Sequence, residues 1–88
     1  MVENNAAQSR FEIRMDGSTA FLNYERRGKE LVLIHTEVPS DLEGRGVGGN
    51  LARGALDHAR AEGLLVVPKC SFVGEWLKRH PEYSDIVA

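Results

Sequence analysis

Polar and apolar positions alternate from Arg10 to Met15, with Phe11, Ile13 and Met15 on one side and Arg10, Glu12 and Arg14 on the other. A period of two is the spacing of a half-buried strand. Asp16-Gly17 is a favoured two-residue hairpin turn, and the alternation resumes from Thr19 to Glu25 with Ala20, Leu22 and Tyr24 on one face. Arg26-Arg27-Gly28-Lys29 supplies a second turn, a charged hairpin tip. Leu31-Val32-Leu33-Ile34 is apolar at every position, so Glu30 to Val38 predicts a central strand covered on both faces, ended by Pro39.

Past Arg45 the period lengthens. Val47, Leu51, Ala55 and Ala59 step by four and Ala52 and Leu56 widen the stripe, which predicts an amphipathic helix from Arg45 to Glu62. Gly54 in its middle costs about 1 kcal/mol relative to alanine, so a neighbour is expected to pack closely there. Gly63 suits the position just past the helix end. Leu64-Leu65-Val66-Val67 predicts a short buried strand stopped by Pro68. Ser71 can cap a second helix from Phe72 to Arg79, with Phe72, Val73, Trp76 and Leu77 inward and Lys78, Arg79 and His80 suiting its C-terminal dipole. The order is β-β-β-α-β-α. A right-handed crossover makes the last two strands parallel, and the fold class is α/β with a mixed sheet. Residues 1–9 are polar and aperiodic and are expected to form a disordered tail, with residues 10–88 one domain.

At 88 residues the chain holds one modest core, and its formal net charge of −2 argues against nucleic acid or an acidic membrane as the main partner. No apolar run is long enough to cross a bilayer, no signal peptide is visible, and the lone Cys70 fits a reducing compartment, so the expected location is cytoplasmic. No His, Cys, Asp and Glu residues share metal-ligand spacing, and no metal is expected.

The chemistry concentrates in Glu43-Gly44-Arg45-Gly46-Val47-Gly48-Gly49-Asn50, between a predicted strand and a predicted helix. Such a loop brings bare N–H groups, and the positive end of a helix dipole, against an anion. Residues 44–49 literally match G-x-G-x-x-G. However, Pro39 to Glu43 separate the loop from its strand, and Leu64-Leu65-Val66-Val67 stands where a dinucleotide site needs an acid. A nucleotide-triphosphate loop fails because Asn50-Leu51 follows Gly49.

A third pattern, [Q/R]-x-x-G-x-[G/A], is met at both small positions, Gly46 and Gly48, with Glu43 in place of Gln or Arg. Ser40-Asp41-Leu42-Glu43 reads as a capping box that shapes this turn. Around the loop stand His35-Thr36-Glu37-Val38-Pro39, Leu56-Asp57-His58-Ala59-Arg60, Val67-Pro68-Lys69-Cys70-Ser71-Phe72-Val73 and His80-Pro81-Glu82-Tyr83, in that order. With them, residues 10 to 84 resemble the short, single-domain branch of the GNAT superfamily of acetyl-CoA-dependent N-acetyltransferases. The resemblance implies a minimal GNAT-like acyl-CoA N-acyltransferase fold whose two parallel strands splay beyond Val38 and Val67, with acetyl-CoA in the wedge. It implies that Thr36 and Val38 offer backbone groups to the pantetheine arm. Gly44, Arg45, Gly46, Val47, Gly48, Gly49 and Asn50 would hold the pyrophosphate, and Cys70 would occupy the place of an acetyl-accepting or catalytic cysteine.

Each candidate has a plainer alternative. Cys70 precedes a predicted helix next to Lys69, which favours the nucleophilic thiolate; equally it is a small buried residue. Glu37 and His35 are candidate general bases, or a solvent-facing strand end and a satisfied histidine. Strict alternation puts both on the face of Leu31 and Leu33, opposite Ile34, Thr36 and Val38, unless a bulge intervenes. Arg45 is a phosphate partner or a solvated side chain; Trp76, Phe72 and Tyr83 read as packing. Three functions stay open: an acetyltransferase acting on an unknown amine, as a monomer or weak dimer; a non-catalytic acyl-CoA-binding module; and a small interaction domain.

Overall fold

The computed structural model describes residues 1–88. Five strands form one sheet in sequence order: β1 (Glu3–Asn5), β2 (Arg10–Met15), β3 (Ser18–Arg27), β4 (Glu30–Glu37) and β5 (Leu65–Pro68). The first four pair antiparallel, and β4 and β5 are parallel, joined through helix α1 (Val47–Ala61). Helix α2 (Ser71–Lys78) follows β5, and 3-10 turns cover Ala6–Gln8, Ser40–Leu42 and Pro81–Ile86. The mixed α/β sheet with a parallel final pair is therefore as expected, with one strand added at the front.

Both residues of the Asp16-Gly17 turn have positive φ, the geometry that matches the twist of the flanking strands. Phe11, Ile13, Ala20, Leu22, Leu31 and Leu33 turn inward from β2, β3 and β4, and meet Leu51, Ala52, Ala55, Leu56 and Ala59 of α1 and Val73 and Trp76 of α2. Val32 is buried on the opposite side of β4, outside that cluster. The C-terminal turn is clamped onto α1. The Tyr83 hydroxyl donates to Asp57 at 2.6 Å and accepts from Arg53 at 3.0 Å. Burial, then the bond to Asp57, pushes its phenol pKa up.

Residues 1–9 are not a disordered tail. Asn4 and Asn5 lie opposite Phe11 and Arg10; Asn4 accepts a bond from the Tyr24 hydroxyl, and Asn5 donates to Glu12. Val2 supplies the neighbour that the mid-helix glycine called for: a Cβ on Gly54 would stand 2.8 Å from its Cγ1. Polarity hid this strand because its asparagines are held by side-chain bonds rather than by burial. Other boundaries shift for similar local reasons. Ser40 lies inside the 3-10 turn with no capping bond, and Cys70, not Ser71, is the residue that precedes α2. Pro68 closes β5 from within, paired with Leu33.

Glu12 is the one buried charged residue, 1% exposed. Arg10 at 2.6 Å, Asn5 at 3.0 Å and Arg14 at 2.9 Å occupy its oxygens. The bonds from Arg10 and Asn5 outweigh desolvation and hold its pKa at about 2, against 4.5 when free. Its contribution is thus complete above the free value and lost as pH falls from there through about 2. Glu12→Gln should lower the urea midpoint at pH 7, and the difference from the parent should close on acidification towards pH 2. Equal midpoints at neutral pH would contradict this.

Gly54→Ala should gain helix propensity while expelling Val2, leaving net stability within about 1 kcal/mol. Amide exchange at Asn4 and Asn5 should accelerate selectively, and Val2→Ala in the same chain should slow it again.

Candidate functional site

The parallel pair β4–β5 ends early. Its last pairing joins Leu33 to Pro68, after which the amides of Lys69 and Cys70 both donate to the Leu33 carbonyl, each at 2.9 Å. The chain then turns away into α2 while β4 runs on to Glu37, paired only with β3. The strands therefore separate at Leu33 and Pro68, several residues before the expected Val38 on β4 and one residue past the expected Val67 on β5. From Ile34 onward the β5-side edge of β4 carries no strand.

A bulge on β4 reorders the side chains at this fork. Asn23 faces His35 and Tyr24 faces Leu33, so Ile34 is the extra residue. Thr36 thereby lies opposite the buried Leu22, on the face of Leu31 and Leu33, and its hydroxyl is 3.2 Å from the Cys70 sulfur. His35 and Glu37 take the other face, contrary to strict alternation. There Nε2 of His35 meets Oε1 of Glu37 at 2.7 Å, with both side chains more than half exposed. His35 is more exposed than the partly buried histidine of the plainer reading, whereas Glu37 does stand at a solvent-facing strand end.

The glycine loop closes the mouth of the fork. Gly44 and Gly46 have φ of 80° and 74°, a conformation that costs any side chain with a Cβ. Gly46 is left-handed immediately before the right-handed first turn of α1, which aims successive N–H groups the same way. Asn50 donates the first helical bond, to Gly46; the amides of Val47, Gly48 and Gly49 have no backbone acceptor. The loop is braced on the β2–β3 hairpin by Ser18 to Asp41 and Arg45 to Asp16, each at 2.7 Å.

Two adjoining hollows lie between this loop, the end of β4 and α2. One, of about 400 Å³, is lined by the loop with Trp76 and Arg79; the other, of about 340 Å³, reaches His35, Thr36 and Glu37. Val38, Glu43, Gly48 and Phe72 border both. At the seam the Phe72 ring lies against Gly48, where a Cβ would be 2.9 Å from its Cζ. His35, Thr36, Glu37, Val38, Gly44, Gly46, Val47, Gly48 and Gly49 all border one or other of these hollows. Arg45 lines neither hollow because Asp16 holds its guanidinium, and Asn50 opens instead onto a separate hollow beside Val2. Cys70 lies behind Thr36, 7% exposed and part of the core.

A profile of the GCN5-related N-acetyl-transferase family matches residues 10–86. The chain belongs to that family. Over 83 residues it is 37% identical to Protein NATD1 of Mus musculus, covering 91% of this chain and 76% of that protein. Protein NATD1 of Danio rerio is 38% identical over 89 residues, covering 96% and 81% respectively. The NMR solution structure of a GCN5-like protein from Staphylococcus aureus superposes with a TM-score of 0.78 at 27% identity, covering all of this chain and 87% of that one. Together they place this chain among short members of the GCN5-related family.

Phe72, Trp76 and Arg79 were absent from the expected site. Their spacing of four and then three residues puts them on one stripe of α2. That stripe faces the glycine loop only because the fork turns α2 towards α1, which no local pattern encodes. Gly48→Ala should displace the Phe72 ring, seen as a changed Phe72 side-chain NMR environment with the unfolding midpoint nearly unaltered. An unmoved ring would mean that the seam has slack.

Proposed function

We propose that this protein is an acetyl-CoA-dependent N-acetyltransferase that binds its co-substrate across the two hollows and acetylates an amine. The observation that carries the reading is the fork at Leu33 and Pro68, which opens onto the unpartnered amides of Val47, Gly48 and Gly49. Gly44 and Gly46 lie in the left-handed region with open space where a Cβ would stand, which suits close approach of a pyrophosphate to backbone. The free edge of β4 after Leu33 offers backbone donors and acceptors to the amides of a pantetheine arm.

The site favours direct transfer. Glu37 holds His35 through Nε2, which leaves Nδ1 as the base that accepts a proton from the incoming amine. The amine nitrogen forms the new C–N bond as the thioester C–S bond breaks. The amine's proton passes to His35, and the released sulfur takes one from solvent. Cys70 is a poorer relay. Its sulfur is buried and engaged with Thr36, and the bulge places His35 and Glu37 on the other face of β4. We assign it to holding Thr36 at the fork.

The test combines calorimetry with acetyl-CoA and turnover against a panel of small amines and lysine peptides. The parent should bind and transfer, and Cys70→Ala should keep most of its turnover. His35→Ala and Glu37→Gln should lose about 100-fold in rate at unchanged affinity. Absence of binding at millimolar acetyl-CoA would overturn the reading. A denaturation-stable acetyl adduct that disappears in Cys70→Ala would replace direct transfer with a covalent route.

A further inference from the structure

The hollow at the glycine loop has two charged residues in its lining, Glu43 and Arg79. Glu43 stands where the family's pattern has Gln or Arg, so a carboxylate faces the place where a phosphate-bearing ligand would lie. The loop's own cation does not offset it, since Arg45 is bound to Asp16 and lines neither hollow. Arg79 is the remaining cation there. It follows the last turn of α2 on the same stripe as Phe72 and Trp76, and it makes no ion pair. Its nearest acidic neighbours in sequence are engaged elsewhere: Glu75 with Lys78 at 3.0 Å and Glu82 with Arg53 at 3.6 Å.

From this we infer that Arg79 is a phosphate-binding residue of the glycine-loop hollow, supplying from α2 the positive charge that the loop itself lacks. The inference rests on the acetyl-CoA reading and deepens it. A guanidinium presents a fork of donors matched to phosphate oxygens, complementary to the single-file N–H groups at the start of α1. The arrangement holds a phosphate between two helices, with the end of α2 and the beginning of α1 on either side. It also accounts for the tolerance of Glu43: one carboxylate in the lining is balanced by one guanidinium before any ligand enters. Coenzyme A carries phosphate as a pyrophosphate and as a 3′-phosphate, and Arg79 could serve either.

Calorimetric titration with coenzyme A and with 3′-dephospho-coenzyme A at low salt separates these sources. Arg79→Gln should weaken coenzyme A binding about tenfold and flatten its salt dependence, with Arg79→Lys recovering part of the loss. Arg45→Gln should stay within twofold of the parent, and Glu43→Gln should tighten binding. Equal losses with both ligands would assign Arg79 to the pyrophosphate; a loss confined to coenzyme A would assign it to the 3′-phosphate. Binding of both ligands by Arg79→Gln within twofold of the parent would overturn the inference, as would a loss produced by Arg45→Gln instead. A parent protein that binds neither ligand would overturn the acetyl-CoA reading, and this inference with it. Circular dichroism of Arg79→Gln should match the parent, since the side chain is exposed and makes no bond within the fold.

Discussion

The carbonyl of Leu33 is where this structure divides. It is the last acceptor that β4 offers to the chain of β5, and it takes two amides, those of Lys69 and Cys70. Beyond it β5 cannot continue, because its backbone has been drawn into the start of α2. The two hydrogen bonds to one oxygen end the parallel pairing, open the fork and set the direction in which Phe72, Trp76 and Arg79 project. The hollow, the seam at Phe72 and Gly48, and the exposure of the free β4 edge all depend on that one acceptor.

A second consequence follows from the bulge at Ile34. An inserted residue changes which face each later side chain takes. Here it sets the half-buried Thr36 beside Cys70 and turns His35 and Glu37 outward. The thiol lies beside Thr36 on one face of β4, and the imidazole–carboxylate pair lies on the other. That separation leaves the cysteine without a partnered base and gives the histidine one.

Much of the fold was legible because burial writes a period into the chain. Phe11 and Ile13, Ala20 and Leu22, and the four-step stripe from Val47 to Ala59 all lie in the core where their spacing put them. The glycine loop was legible for a different reason: Gly44 and Gly46 occupy backbone regions that few other residues tolerate. Less legible were contacts made by polar residues. Asn4 and Asn5 carry no hydrophobic signal, yet Tyr24 and Glu12 hold them in a strand. Ser40 has the form of a capping residue, but it is Asp41 that ties this loop to the hairpin, accepting from Ser18, 23 residues away.

The sequence by itself determined the strand and helix periods, the parallel crossover, the loop that presents bare amides, and the family to which the pattern belongs. These are local properties, governed by the spacing of apolar groups and by the backbone freedom of glycine. Tertiary structure alone decided where β4 and β5 part, which face His35, Thr36 and Glu37 occupy, and which arginine borders the hollow. Each of those depends on a pairing between distant segments: Leu33 with Lys69 and Cys70, Asn23 with His35, Arg45 with Asp16. A hydrogen bond or ion pair selects its partner by geometry in three dimensions, so it leaves no periodic trace along the chain.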